Sequence, residues 1–155
     1  MGYTTEFQGE FSITPALTPE HRAYLKQFAK VRHMRRDEDQ LEKLPDPIRE
    51  AIDYAVGPDG CYYVGDGDQF ITDQNHPPAT QPNLWCQWEP NEDGTALVWD
   101  GNEKFYEYDK WLEYLIEHFL RLWGYTVNGE VYWRGEECID VGVIVVKNNS
   151  IKMVY

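Results

Sequence analysis

Apolar residues recur at three- and four-residue steps between Tyr108 and Trp123. Tyr108, Trp111, Leu112, Leu115, Ile116, Phe119 and Trp123 share one helical face, while Lys110, Glu113, Glu117 and Arg121 fill the opposite one. The spacing predicts an amphipathic helix with a buried face, opened by Asp109 as a cap and closed by Gly124 in a left-handed turn. His118, on the flank of that face with no partner at ligand spacing, reads as a packed helix residue. Ahead of the helix the period changes to two. Leu84, Cys86 and Trp88 alternate with Trp85 and Gln87, Asn91 to Gly94 supplies turn residues, and Ala96 to Trp99 resumes the apolar run, which together predict a hairpin.

After the helix, Tyr125 to Val127 and Glu130 to Trp133 flank Asn128 and Gly129, the dipeptide best suited to a type I′ turn, so a second hairpin is expected there. Val141 to Val146 is β-branched apart from Gly142, and Asn148 with Asn149 can turn the chain so that Ile151 to Val154 pairs back on it. At the other end, Tyr3, Thr5, Phe7, Phe11 and Ile13 line one side of a strand ended by Pro15. Thr18 and Pro19 then read as cap and first residue of a helix carrying Tyr24, Leu25 and Phe28. A shorter helix is expected from Pro47 to Val56, capped by Asp46 and stopped by Gly57, with Ile48, Ala51, Ile52 and Ala55 inward. The charged stretch from Arg35 to Pro45 between them reads as loop or frayed helix.

Helices and strands thus come in separate runs. The expectation is one α+β domain over residues 1–155, mostly an antiparallel sheet built from hairpins and packed against one long amphipathic helix, with two further N-terminal helices. A length of 155 residues suits a single core. No run of about twenty apolar residues is available to span a bilayer, and Met1 to Thr5 lacks a secretory pattern, so a cytoplasmic location with no membrane partner is expected. Cys61, Cys86 and Cys138 are odd in number and far apart, which fits reduced thiols better than a disulfide framework.

Charge divides unevenly. Up to Arg49 eight Lys or Arg balance eight Asp or Glu, whereas from Glu50 onward six face nineteen, so the whole net charge of −13 lies in the second part. Such a surface repels nucleic acid, and direct nucleic-acid binding is not expected; an acidic mimic of nucleic acid is the converse possibility. Lys26, Lys30, Arg32, His33, Arg35 and Arg36 form the basic cluster, near the end of the first helix. Part of it complements the helix dipole, and Arg35 and Arg36 are candidates for a partner-facing patch.

Candidate chemistry is sparse. No phosphate loop, nucleophile motif or metal-ligand spacing appears, so no catalytic residue and no cofactor is assigned. The segment 57–83 reads as a long internal loop rich in Gly, Pro, Asp and Asn. Within it Asp66, Asp68, Asp73 and His76 are weak candidates for a cation or an acid–base pair, although their spacing misses the calcium-loop pattern.

The segments MGYTTEFQGEF, QPNLWCQWEPNEDGTALVWDGNEKFYEYDKWLEYLIEHFL and WGYTVNGEVYWRGEECIDVG resemble a family of small bacterial and phage proteins without an established activity. The resemblance covers most of the chain, least so 36–75, and implies a bacterial or phage origin. Within the matching segments Trp85, Trp88, Asp93, Asp100, Glu103, Lys104 and Tyr106 crowd one hairpin and the start of one helix, and are candidates for contacting a ligand or partner. The function expected is binding of another protein, as an accessory or inhibitory factor of a phage or mobile element. The alternative is a binding protein or enzyme for a small, nucleotide-like ligand held by the 57–83 loop and the Trp85 to Asp100 hairpin.

Overall fold

The computed structural model describes residues 2–65 and 69–155. Its elements in chain order are β1 (Thr5–Thr14), α1 (Pro19–Phe28), β2 (Arg35–Arg36), α2 (Glu38–Leu41), α3 (Pro47–Glu50), β3 (Ile71–Asp73), β4 (Trp88–Pro90), β5 (Ala96–Trp99), α4 (Tyr108–Leu115), β6 (Thr126–Gly135), β7 (Val141–Lys147) and β8 (Ser150–Val154). A 3-10 turn at Pro58–Gly60 and a π-helical turn at Ile116–Leu120 complete them. The fold is α+β, and all its strand pairings are antiparallel. Two compact units divide the chain: residues 1–18 with 87–155, and residues 19–86.

The first unit carries a six-stranded sheet in the order β4-β5-β1-β6-β7-β8. β1 alternates as expected, with Thr5, Phe7, Phe11 and Ile13 buried and Glu6, Gln8, Glu10 and Ser12 outward. Phe7 centres the core, with ring centroids 5.0–5.7 Å from those of Trp88, Trp99, Phe105 and Tyr108. Helix α4 closes over this inner face with Trp111, Leu112 and Leu115 fully buried. Its opening differs from expectation: Glu107, in the left-handed region at φ 57°, precedes the first helical residue Tyr108, and Asp109 lies inside the first turn. Beyond Leu115 the helix widens to π geometry, Arg121 N donating to Ile116 O at 2.8 Å. The extra residue in that turn brings Leu120 into the core beside Ile116 and Phe119 and sends Leu122 out. Gly124, at φ 87°, ends the turn as expected.

The hairpin expected at Asn128–Gly129 does not form. β6 runs straight through both residues, paired along its whole length from Thr126 to Gly135 with β1. Ten ladder positions outweigh one favourable turn dipeptide, and the glycine serves another purpose. A Cβ at Gly129 would lie 2.6 Å from Glu10 O, and one at Gly9 would lie 2.5 Å from Glu130 O, so each strand presents a glycine where the other's backbone comes close. The hairpin between β7 and β8 forms as expected, with Asn148 and Asn149 both at positive φ, 48° and 69°. In the Leu84–Trp99 hairpin only Trp88–Pro90 and Ala96–Trp99 are paired strand.

In the second unit Tyr24, Leu25 and Phe28 of α1 are buried, as are Cys61 and Val64, and Leu41, Val56 and Tyr63 form a cluster against which Leu44 packs. The expected Pro47–Val56 helix stops at Glu50, and Asp53, at φ 62°, turns the chain away. Ile48 and Ile52 are therefore half-buried and Ala51 and Ala55 exposed, not inward. Asp46 is no cap either. Its carboxylate is buried and accepts from Arg49 Nε at 3.1 Å and Val64 N at 3.2 Å. The stretch 35–45 gains a short strand and a helical turn, α2 capped by Asp37 through the amides of Asp39 and Gln40.

Candidate functional site

The 57–83 segment is more ordered than its composition suggests, since β3 within it pairs with β2. Three arginines fasten it. Arg36 Nη1 donates to Gln69 O at 2.9 Å, Arg32 Nη2 to Gln74 O at 3.1 Å and Arg35 Nε to Pro77 O at 2.8 Å. Arg36 is 6% exposed and lies over the Tyr63 ring, 5.2 Å from its centroid. The expected partner-facing role of Arg35 and Arg36 therefore gives way to an internal one: both are spent on the chain's own carbonyls.

Asp73 and His76 do meet, His76 Nδ1 lying 2.8 Å from Asp73 Oδ2 on an exposed turn. The Asn75 amide first, and then His76 and Arg35, hold the Asp73 carboxyl below the usual carboxylate range. Asp66 and Asp68 lie outside the described residues, and among the described residues no three His, Cys, Asp or Glu side chains converge to hold a metal.

His33, in contrast, is buried beneath Phe28, with Nε2 2.9 Å from Phe28 O. Burial pushes its imidazole down to about 4, the Phe28 carbonyl opposes this, and Arg36 adds to it. The folded state thus keeps His33 neutral at a pH where the unfolded chain, titrating near ~6.5, already binds a proton. Stability from this group is complete above about 6.5 and is lost as pH falls toward 4, by on the order of 3 kcal/mol. Urea unfolding of His33→Gln against the parent chain should show a flatter pH dependence over that window. Equal slopes would remove His33 as the cause.

The Leu84–Tyr106 candidates separate on inspection. Trp88 is 1% exposed and donates from Nε1 to Tyr108 O at 2.8 Å, so it is a core residue and is withdrawn from any ligand. Asp93 accepts from Thr95 Oγ1 at 2.6 Å and Asp100 from Asn102 N at 2.9 Å, both shaping turns. Glu103 gives its backbone carbonyl to Gln87 Nε2 at 3.0 Å. Lys104 sits at φ 61° with its stem over Gly2, and Tyr106 OH accepts from Tyr3 N at 3.1 Å. Trp85 belongs to the second unit and is 43% exposed. Cys61 and Cys86 are buried thiols, and Cys138 is exposed.

What the structure exposes instead is the outer face of the six-stranded sheet. Here the β7 side chains pointing away from the core are Val141, Val143 and Val145, opposite in direction to the buried Ile144 and Val146. Beside them Tyr132 is 56% exposed, Val141 43% and Val154 40%. A groove of about 530 Å³ opens over this area, bounded by Tyr132, Val143, Val154 and Tyr155, with Glu6 and Arg134 at its rim. The face is built by register. Glu10, Glu130, Val145 and Lys152 make one cross-strand row, Gln8, Tyr132, Val143 and Val154 the next, and Glu6, Arg134 and Val141 a third. The signal was present in the sequence, because VGVIVV carries valine on both parities of a strand, where a one-sided sheet alternates with polar residues. The aromatic stripe between Leu84 and Trp123 drew attention elsewhere.

No protein-family model, curated protein or solved structure matches this chain.

Proposed function

We propose that this chain acts by binding protein rather than by catalysis, and that the outer face of its sheet is the docking surface. One observation carries the reading: β7 is apolar on both sides, and the chain's own core covers only the inner one. Strands apolar on both sides are characteristic of sheets covered on both faces. Val143 and Val145 are already half-buried and Val141 is 43% exposed, so covering each adds only a fraction of the ~1.5–3 kcal/mol of a fully buried valine, and the exposed Tyr132 and Val154 supply much of the rest. In this reading the chain is an accessory or inhibitory factor that works in the cytoplasm, and the sequence resemblance adds a bacterial or phage origin.

An acidic nucleic-acid mimic is not favoured on this face, since Arg134, Lys147 and Lys152 lie among Glu6, Glu10 and Glu130. The nucleotide-like reading loses Trp88 to the core. The test is photo-cross-linking in the host with Tyr132→p-benzoylphenylalanine, compared with Glu113→p-benzoylphenylalanine on the exposed back of α4. A protein adduct is expected from position 132 and not from 113. Absence of any protein adduct at 132, with the cross-linker also placed at Val143, would sink the reading.

A further inference from the structure

We infer that the occupant of this face is a second copy of the same chain, packed sheet against sheet about a two-fold axis that runs along β7. The inference rests on the reading of the face as a protein-binding surface, and goes beyond it by naming the partner. Face-to-face sheets lie about 10 Å apart with interleaved side chains. An axis along β7 lays the valine row of one copy on that of the other, and exchanges the positions of β6 and β8, which flank β7 on either side.

The rows then decide complementarity. Glu130 and Lys152 occupy the same row on opposite sides of Val145, so the exchange puts Glu130 of each copy over Lys152 of the other. In the next row Tyr132 and Val154 flank Val143, so each tyrosine ring comes down on the other copy's Val154, into the groove beside Tyr155. Each off-axis contact is made twice, and the valines on the axis meet their own copies, as a closed two-fold interface requires. An axis across the strands is poorer: it pairs Glu130 with Arg134 but stacks Glu6 on Glu10, and leaves Lys152 without an acid. The charge match for the chain's own face rests on Glu130 and Lys152 on opposite sides of the apolar row; Lys147, one step past Val145 on β7, meets its own copy at the end of that row, where its exposed side chain extends into solvent. Three strands by five residues is roughly 15 Å by 17 Å of sheet, a small interface that implies reversible, concentration-dependent association.

Sedimentation equilibrium on the intact chain tests this. The mass should rise with concentration from 18.2 kDa toward twice that value. Val143→Asp should hold the chain at the monomer mass. Glu130→Lys should weaken association about tenfold or more, and adding Lys152→Glu to it should restore most of the loss. A mass fixed at the monomer value across the series overturns the inference, as does a charge exchange that fails to restore association. The two readings fail separately. A monomer whose cross-linker at position 132 captures a different protein ends the second copy and leaves protein binding standing, whereas a monomer with no adduct ends both.

Discussion

Trp88→Ala will destabilise the sheet-bearing unit by about 3–5 kcal/mol. With that of Trp111, its indole is one of two fully buried among the described residues of this unit, with ring centroids 5.3 Å from Phe7, 5.4 Å from Phe11 and 5.2 Å from Phe105. Truncation removes those contacts, leaves a cavity, and strips the Tyr108 carbonyl of its donor at the start of α4. Urea unfolding followed by far-ultraviolet circular dichroism measures the loss. Trp88→Phe should recover the greater part of the packing but not the hydrogen bond. A Trp88→Ala chain as stable as the parent would contradict the placement of this residue in the core and return it to the list of surface candidates.

The second large effect lies in the other unit. Asp46→Ala removes the one carboxylate that Arg49 Nε and the Val64 amide share, while side chains 46 and 49 are 3% and 8% exposed. A guanidinium held only by the Tyr54 carbonyl, with no counter-charge, is then left inside the protein, and breaking a buried pair from one side costs about 3–5 kcal/mol. Hydrogen exchange over peptides spanning residues 41–64 should lose protection. Replacing both partners, with Asp46→Leu and Arg49→Met, should return much of it, because the desolvation of two charges is avoided together with their attraction. If the single and double replacements are equally damaging, the ion pair is not what holds this corner.

These two residues also show how far the sequence could be read. The alternation of β1 is a long pattern set by a single buried face and survives into the structure, whereas the three-four spacing holds through α4 only to Leu115, where the π turn shifts it by one residue. Asn148–Asn149 was legible because a two-residue hairpin turn is decided locally. Asn128–Gly129 carried an equally good local signal, but the ten-position ladder with β1, visible only once distant strands are paired, overrode it. Asp46 stood where a cap belongs, and nothing in its neighbourhood announced Val64, eighteen residues on, as its partner. The β2–β3 pairing involves so few residues that no period could reveal it. For the site, the aromatics between Leu84 and Tyr106 were chosen for their chemistry, and burial claimed Trp88 while turns claimed Asp93 and Asp100. The outer face of β7 was written in the parity of its valines, a property of residue order rather than of reactive groups.

The three arginine contacts to the 69–77 segment have a further consequence, because every acceptor is a neutral backbone carbonyl. These three bonds join no pair of opposite full charges, so salt screens only the neighbouring attraction of Asp73 for His76 and Arg35. At an ionic strength of about 1 M, where the Debye length shrinks to ~3 Å, an exposed pair such as Arg121 with Glu117 loses most of its attraction. The three arginine–carbonyl bonds keep their anchorage there, so salt alone leaves this part of the chain tied to β2.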